Sequence, residues 1–398
     1  MLDKKQLYGN EISLLASEEH QEYVRLNLEK IRARRQRFGV PVVALAGAEG
    51  KTSTKRMLYA ILSRCGTVLE TPLDCDNAID ICNTLLQLKE SHDFVLLELG
   101  MINARQFELA VRVAQPTIGL ITNVGETHSP QVGDKFEVAK TQLELIRRLP
   151  PSGSAVLNMD DELVNDMASF APTPNIIKFG LNRSAQFYAS DIEYLGPAGT
   201  RFLLNGEFPL HLPVYCSASV YNALAAIAVA RALGVDLSTI AAALQNDYAI
   251  LEGRGNLLVH QGMYIFNYTY DATVNSVPRA CEALVQLRQH CKQLTLVLGE
   301  MRDAQGDGRV AHLNLGFYLS ALPIDTVITV GPKAAYVAEG IRRINHTRKK
   351  MVSFPNLSAL QERIVEFLKP ESALLITGSK EQNLAPLIPL ICQQTVRL

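Results

Sequence analysis

Short apolar segments alternate with helical segments along most of the chain, and this alternation limits the possible folds more than any other feature of the sequence. The first series of apolar segments is VVALA, FVLLEL, IGLIT, AVLN and IIKF, at residues 42–46, 94–99, 118–122, 155–158 and 176–179. A second series is YIFN, LTLVLG, TVITVG and ALLITG, at residues 264–267, 294–299, 326–331 and 373–378. Apolar runs without polar alternation are typical of strands covered on both faces. The pattern predicts an α/β protein whose sheets are mostly parallel.

The helical segments and the glycines predict where the domains lie. Residues 20–38 have a helical pattern that stops at Gly39, and the alanine-rich stretch 217–233 stops at Gly234. Further helices are predicted between the strands of the second series, at 277–291, 333–344, 357–368 and 381–392. The glycine-rich stretch EGRGN separates the two series. We expect an N-terminal helical segment at 1–40, a central domain at 41–255 and a C-terminal Rossmann-like α/β domain at 256–398.

The charge balance and the cysteines exclude several classes of protein. With 39 basic and 40 acidic residues the net charge is −1, which argues against nucleic acid or a membrane surface held by bulk charge. The basic run from Lys30 to Arg37 has no interleaved aromatic residues, so we interpret it as a solvated helix end rather than a nucleic-acid patch. No apolar run approaches the roughly 18 residues of a spanning helix, and we see no secretory signal. The seven cysteines are scattered and form no Cys-x-x-Cys pair, which favours reduced thiols in a cytoplasmic protein.

The segment GAEGKTS, from Gly47 to Ser53, lies between a predicted strand and a predicted helix, which is the setting of a phosphate-binding loop. Glycines let backbone amides close around phosphate oxygens, and the helix N-terminus adds its dipole. Lys51 would neutralise the β- and γ-phosphates, and Thr52 would reach Mg²⁺. The loop has two residues between its glycines, Gly47 and Gly50, fewer than the usual phosphate loop, so a helix capped by a glycine-rich turn is the alternative. The strand–loop–helix setting favours a central P-loop ATPase domain.

Two further polar residues follow predicted strands. Glu98 ends an apolar strand, where a carboxylate is costly to bury unless it holds a metal or a partner. His128 follows the strand at 118–122, within the segment TNVGETH. The carboxyl ends of parallel strands line the ligand crevice of a doubly wound sheet, so we expect the glycine loop, Glu98 and His128 to converge there. A lone histidine is more often a structural residue, and that alternative stays open for His128.

These motifs together resemble those of the Mur ligase family. GAEGKTSTK resembles the family's loop GTNGKTTTK, and LELGMINARQFE and IGLITNVGETH resemble its next two motifs. Five further segments resemble family motifs in the same order along the chain: AVLNMDDE, VYNALAAIAVARALG, the Gly-Arg at 253–254, YDATVNS and LVLGEMRD. The matches extend from near residue 41 to near residue 310 and weaken after that. Each motif is moderately specific, and their common order makes the set highly specific.

The resemblance implies an ATP-dependent ligase that joins a carboxylate to an amine. In this family a substrate carboxylate attacks the γ-phosphate of ATP, and an amine then displaces phosphate from the acyl phosphate. Catalysis of this kind depends on positioning and on charge neutralisation. Asn222 matches the family residue that contacts adenine. By match, the residues that would hold ATP are Gly47, Gly50, Lys51, Thr52, Ser53, Asn222 and Arg254.

The resemblance also implies a metal site and a set of catalytic residues. Thr52 and Glu98 match ligands of one Mg²⁺, and His128 would help to hold a second Mg²⁺. Arg254 would reach toward the phosphates from a closing C-terminal domain whose hinge lies beside it. The expected catalytic residues are Lys51, His128 and Arg254.

Several positions depart from the family pattern. The family has a carboxylated lysine, a ligand of the second Mg²⁺, where this chain has Gln142. Lys140 lies about 200° away around the helix and is not a simple substitute. Tyr268 stands at the position of an acidic residue for ribose, Glu49 at that of a loop asparagine, and Thr377 at that of a lysine. We therefore expect one firmly bound Mg²⁺ rather than two.

Three functions are compatible with these observations. Residues 1–40 have the pattern of a single helix, so we expect the family's N-terminal UDP-binding domain to be lacking, and we favour an amide ligase whose carboxylate substrate is not anchored through UDP. The first alternative is a ligase of peptidoglycan synthesis that adds D-alanyl-D-alanine to a UDP-linked muramoyl tripeptide. The second alternative is a non-catalytic nucleotide-binding regulator, which Gln142 and Tyr268 suggest. The expected partners are small carboxylate and amine substrates, without nucleic acid or membrane insertion.

Overall fold

The computed structural model describes residues 19–101, 103–125, 134–302, 308–344 and 349–394. Two compact units make up this part of the chain. The first contains the described residues up to 125, together with 134–189 and 221–247, and the second contains 190–220 and the described residues from 248 onward. The residue bounds predicted for the domains stay predictions. No helix in the described ranges is long and apolar enough to span a bilayer.

A parallel sheet forms the centre of the first unit. Its strands are β1 (Val42–Ala46), β2 (Val68–Glu70), β3 (Phe94–Glu98), β4 (Ile118–Ile121), β5 (Ser154–Asn158) and β6 (Ile176–Gly180). Their order in the sheet is β2-β3-β1-β4-β5-β6, every neighbouring pair is parallel, and β6 pairs with the start of β7 (Phe187–Tyr194). All residues of β1 and β4 are buried, which is why their sequences carry no polar alternation.

Helices cover this sheet. They are α1 (Glu19–Phe38), α2 (Lys51–Leu62), α3 (Ala78–Leu86), α4 (Ala104–Ala114), α5 (Lys135–Arg147), α6 (Glu162–Asp166), α7 (Ser217–Ala232) and α8 (Leu237–Asn246). Asn77, Asn103 and Asp134 cap α3, α4 and α5 with side-chain oxygens that accept backbone amide hydrogens. Helices α2 to α6 each follow the carboxyl end of one strand and lead to the next, so the polar strand ends lie at one edge of the sheet.

The N-terminal helix is confirmed, but its basic end is not simply solvated. Arg34 donates to the carbonyl oxygen of Leu88 at 2.8 Å. Arg35 donates to the carbonyl oxygens of Ala114 and Gln115 at 2.6 and 2.8 Å, at the end of α4. Burial lowers the pKa of the Arg35 guanidinium. These arginines therefore join α1 to the elements beneath it, and they satisfy carbonyl groups that a helix end leaves without partners.

The second unit contains a six-stranded sheet and a hairpin. The hairpin pairs β8 (Thr200–Leu204) with β9 (Phe208–Leu212). The sheet strands are β10 (Asn256–His260), β11 (Met263–Tyr268), β12 (Gln293–Leu298), β13 (Thr326–Val330), β14 (Lys350–Phe354) and β15 (Ser372–Thr377). They are ordered β10-β11-β15-β12-β13-β14, and only the edge strand β10 is antiparallel to its neighbour. The helices of this unit are α9 (Ser276–Gln286), α10 (Arg309–Ala321), α11 (Ala335–Arg343), α12 (Leu357–Gln361) and α13 (Leu387–Gln393).

The predicted fold class, an α/β protein with mostly parallel sheets, is confirmed. Three helices of the second unit are shorter than the sequence predicts. The segment 277–291 is α9, which ends at Gln286, followed by a 3₁₀ turn at Leu287–Gln289. The segment 357–368 is α12 followed by a 3₁₀ turn at Ile364–Phe367. The helix predicted at 381–392 begins only at Leu387, because Asn383 has a φ of 47° and Pro386 occupies the position before the helix.

Candidate nucleotide-binding site

The glycine loop between β1 and α2 has the backbone that a phosphate-binding loop needs. Gly47 has a φ of 142° and Gly50 a φ of 80°, and Gly50 is the N-cap of α2. A Cβ atom at Gly47 would lie 1.9 Å from Thr122 Oγ1. Both positions therefore require glycine for its backbone conformation, and Gly47 also has no space for a Cβ atom. The loop leads directly into the N-terminus of α2, where the helix dipole favours an anion.

Residues at the end of β4 hold this loop in place. Thr122 Oγ1 donates to the carbonyl oxygen of Glu49 at 2.6 Å, and Asn123 Nδ2 donates to the same oxygen at 3.1 Å. In return the Glu49 amide donates to Asn123 Oδ1 at 3.0 Å, and the Ala48 amide donates to the Asn123 carbonyl oxygen at 3.1 Å. Sequence reasoning missed Thr122 and Asn123, although both belong to the same TNVGETH segment as His128.

The predicted phosphate-binding residues lie in the loop and the first turn of α2. Lys51 folds back over the loop, and its Nζ donates to the Gly47 carbonyl oxygen at 2.7 Å. Thr52 is buried and Ser53 half-buried in the same turn. The positive charge of Lys51 is thus placed against the mouth of the loop, where phosphate oxygens would enter.

Thr52 and Glu98 meet, as the sequence predicted for a metal site. Glu98 is 7% exposed, and its Oε1 accepts a hydrogen bond from Thr52 Oγ1 at 2.7 Å. Its other carboxylate oxygen lies 3.2 Å from Lys55 Nζ, and its backbone amide donates to Thr71 Oγ1 at 3.0 Å. A hydroxyl and a carboxylate are hard oxygen donors of the kind that Mg²⁺ takes together with substrate phosphates and water. Sequence reasoning missed Lys55 on α2 and Thr71 after β2, because both contact Glu98 on a different strand, β3.

A second carboxylate, Asp76, lies in the loop that precedes α3. Burial raises the pKa of this carboxyl group, and the positive charge of Lys51 opposes the rise. The Asp76 carbonyl oxygen accepts from the Gly100 amide at 2.8 Å, and a Cβ atom at Gly100 would lie 2.2 Å from the Asp76 carboxyl group. Glycine at position 100 therefore leaves room for a carboxyl group beside the end of β3.

Asn222, predicted to contact adenine, lies against the phosphate loop. Its Oδ1 would be 2.3 Å from a Cβ atom at Gly50, and it accepts from Thr54 Oγ1 at 3.4 Å. The helix that carries Asn222 is thus fixed to the loop by direct contact. The structure brings together five of the predicted residues, Gly50, Lys51, Thr52, Glu98 and Asn222, around the start of α2.

Two features bear on a second metal. His128 lies outside the described residues, so its predicted role stays a prediction. Within the described ranges there is no group of three or more His, Cys, Asp or Glu side chains that could hold a metal. Gln142 is 1% exposed, and neither of its amide atoms has a hydrogen-bond partner among the described residues, whereas Lys140 is exposed. Because Gln142 is buried and Lys140 is exposed, the two side chains lie in different surroundings, in agreement with the prediction that Lys140 does not take the role of the family's carboxylated lysine.

The second unit contains the remaining predicted residue, Arg254. Its guanidinium carbon lies 3.7 Å from the centre of the Tyr270 ring, a close cation–π stack. Lys380 Nζ lies 5.4 Å from the same ring. Two of the departures from the family pattern, Tyr268 and Thr377, face each other as neighbours in β11 and β15. The Tyr268 hydroxyl donates to Cys216 Sγ at 3.0 Å.

Comparison with known proteins identifies the family. Residues 45–230 match the Mur ligase middle domain, and residues 253–380 match the Mur ligase glutamate ligase domain. The UDP-N-acetylmuramoyl-tripeptide–D-alanyl-D-alanine ligase of Synechocystis is 30% identical over 358 residues, which cover 89% of this chain and 75% of that protein. The chain belongs to the Mur ligase family. Within the family, the Escherichia coli ligase of the same name is 27% identical over 84% of this chain and 74% of its own length.

A solved Mur ligase structure has the same fold. The crystal structure of MurF from Acinetobacter baumannii superposes with a TM-score of 0.82 and 27% identity, covering 93% of this chain and 81% of that one. The membership confirms the predicted enzyme class, an ATP-dependent ligase that forms C–N bonds. The substrates, the metals and the roles of individual residues are proposed below.

Proposed function

We propose that this Mur ligase uses ATP and Mg²⁺ to join a carboxylate to an amine at the glycine loop. The observation that carries the proposal is the meeting of Thr52 and Glu98 beside a loop whose glycines have positive φ. A substrate carboxylate oxygen attacks the γ-phosphorus of ATP, and ADP leaves. The amine nitrogen then attacks the acyl carbon, the bond from carbon to the phosphate oxygen breaks, and the amine gives up a proton.

The chain's own residues position and neutralise the reacting groups. The amides of the loop and the N-terminus of α2 receive the phosphates, and Lys51 neutralises their charge. Thr52 and Glu98 would hold Mg²⁺, which would supply positive charge next to the transferring phosphoryl group. Asn222 lies beside the loop, and by its match to the family it would contact the adenine of the nucleotide. Arg254 adds a second cation from the C-terminal domain when the enzyme closes.

For the substrates, the comparisons favour the first alternative over the unanchored ligase that the sequence led us to expect. The relatives at 30% and 27% identity are both named as ligases of UDP-N-acetylmuramoyl-tripeptide and D-alanyl-D-alanine. We therefore propose that the carboxylate belongs to a UDP-linked muramoyl tripeptide and the amine to D-alanyl-D-alanine. The likeness spans both matched domains, which supports a shared pair of substrates.

The test is a ligation assay with defined substrates. The protein is incubated with ATP, Mg²⁺, the UDP-linked tripeptide and D-alanyl-D-alanine, and phosphate release and product mass are measured. We expect phosphate release that requires both substrates and a product whose mass equals their sum less water. A matched reaction contains the same peptide without UDP. Equal rates on the two peptides would favour the unanchored ligase, and no turnover with any carboxylate and amine would favour the non-catalytic regulator.

A further prediction concerns Gln142, which stands where the family has its carboxylated lysine. Gln142 is a buried residue of α5, one helical turn before Leu145. A neutral amide oxygen holds Mg²⁺ less tightly than a carboxylate does. We expect one firmly bound Mg²⁺ per chain and activity that does not respond to added bicarbonate.

Replacing Gln142 by lysine tests this expectation by restoring the residue type that the family has at this position. If the missing ligand limits catalysis, Gln142→Lys raises turnover and makes it dependent on bicarbonate. NMR with ¹³C-bicarbonate should show a lysine carbamate in the variant and none in the wild type. Lys140→Ala is the matched control and should leave both measurements unchanged. A carbamate in the wild type that disappears in Lys140→Ala would show that Lys140 has the role and that our expectation is wrong.

A further inference from the structure

A fully buried lysine lies beside the proposed metal site and has no role in the function proposed above. Lys55 lies one turn after Lys51 on α2, and its side chain is 0% exposed. Its Nζ donates to the Thr71 carbonyl oxygen at 2.7 Å and lies 3.2 Å from Glu98 Oε2. Thr71 Oγ1 is also within 3.3 Å of this nitrogen and accepts the Glu98 amide hydrogen. Lysine and glutamate are thus held together by one threonine.

This arrangement engages both oxygens of the Glu98 carboxylate. Oε1 accepts from Thr52 and Oε2 faces Lys55, so each carboxylate oxygen has a partner within the chain. A charged lysine is costly to bury unless it is paired and hydrogen-bonded, and here both conditions are met. A divalent cation that approaches Glu98 would meet a fixed positive charge within a few ångströms in a site of low solvent exposure, where Coulomb repulsion is poorly screened.

We infer that Lys55 is a built-in counter-ion of Glu98 that keeps the metal site from taking up a divalent cation until a nucleotide brings its own negative charge. The inference rests on the proposed function, because it concerns the same metal site. Lys55 touches neither substrate nor nucleotide in this account, and acts only as a positioning residue through Glu98. The consequence is that the wild-type protein binds the metal mainly as a metal–nucleotide complex.

The alternative is that Lys55 and Glu98 form a purely structural pair. The two accounts differ in what happens when the lysine charge is removed. A structural pair, once broken, leaves a less stable protein whose metal binding is unchanged or weaker. A counter-ion, once removed, leaves a buried carboxylate that a divalent cation can neutralise, so metal binding becomes stronger and stabilises the variant.

The experiment measures Mn²⁺ binding to the full chain, with and without a non-hydrolysable ATP analogue, by electron paramagnetic resonance of the free ion. For the wild type we expect weak binding of Mn²⁺ alone and at least about tenfold tighter binding with the analogue, since triphosphate charge outweighs one lysine. For Lys55→Met we expect the Kd for Mn²⁺ alone to fall at least about tenfold. The Tm of Lys55→Met should rise more on addition of Mn²⁺ than the Tm of the wild type does.

Two further variants keep the test decisive if Lys55→Met is poorly folded without metal. The double variant K55M/E98Q removes both charges at similar volume, so it should fold without Mn²⁺ and show no rise in Tm when Mn²⁺ is added. Arg56→Met removes a positive charge from the next residue of α2, whose partner is Glu70 at 3.2 Å, and should leave the Kd for Mn²⁺ alone within about twofold of wild type.

The outcomes separate this inference from the proposed function. Unchanged or weaker Mn²⁺ binding by Lys55→Met, in a wild type that does bind the Mn²⁺–nucleotide complex, overturns the counter-ion role and leaves the proposed function intact. Equal gains in Lys55→Met and Arg56→Met would also overturn it, because the effect would then be one of net charge. A wild type that binds neither the nucleotide analogue nor Mn²⁺ with it would refute the proposed function itself.

Discussion

Replacing Lys51 by alanine is expected to lower ATP turnover below about 1% of the wild-type rate, because a lysine that neutralises transferring phosphate oxygens acts where charge develops in the transition state. Lys51 is held over the loop by its hydrogen bond to the Gly47 carbonyl oxygen, so its charge is already in place before nucleotide binds. The side chain is only half-buried, and its loss should leave the free energy of unfolding almost unchanged.

Phosphate release in the ligation assay measures this effect, and circular dichroism confirms that the variant is folded. Lys89→Ala is the matched control, since Lys89 is an exposed lysine of the same unit, and it should retain wild-type turnover. Lys51→Ala protein that binds and hydrolyses ATP as the wild type does would show that the glycine loop is not the phosphate site.

Arg254→Ala is expected to reduce turnover by about 100-fold or more while changing the Kd for ATP only a few-fold. The reason is that Arg254 belongs to the second unit and is proposed to reach the phosphates only in the closed state. An interaction made only near the transition state affects rate rather than ground-state binding. The stack of its guanidinium on Tyr270, at 3.7 Å, restricts the conformations of a long side chain in the free enzyme.

Steady-state kinetics and direct nucleotide binding together check this prediction. Arg254→Lys keeps the charge but loses the planar stack, and should fall between wild type and Arg254→Ala. Arg342→Ala, at an exposed arginine on α11 of the same unit, should behave as wild type. Equal losses in turnover and in ATP affinity for Arg254→Ala would contradict a role confined to the closed state.

The parts of the fold that could be predicted from sequence are those with a strong local signal. The buried strands β1, β3 and β4 appear as uninterrupted apolar runs, and the glycines at 47 and 50 mark the turn where positive φ is needed. The strands that were missed lack this signal. The edge strands β10 and β14 are partly exposed, and β2 has only three residues, none of them fully buried.

In the candidate site, too, the residues with a local sequence signal could be predicted and those that depend on tertiary packing could not. Lys51 and Thr52 follow the glycines directly, so the loop motif indicates them without reference to the rest of the chain. Lys55 and Thr71 could not be assigned, because their contacts with Glu98 depend on how α2, β2 and β3 are packed. The sequence does not distinguish a buried lysine from a solvated one, and only the tertiary structure shows which residue pairs with it.

The hydrogen bonds from Thr122 and Asn123 to Glu49 have a consequence for the thermodynamics of nucleotide binding. They hold the loop backbone from the neighbouring strand, so the loop is preorganised and does not have to fold around the phosphates. A binding site that is already ordered loses little conformational entropy when its ligand arrives, and more of the contact energy appears as affinity. Calorimetry on Thr122→Val, which removes one of these hydrogen bonds, should accordingly show weaker ATP binding with a more unfavourable entropy.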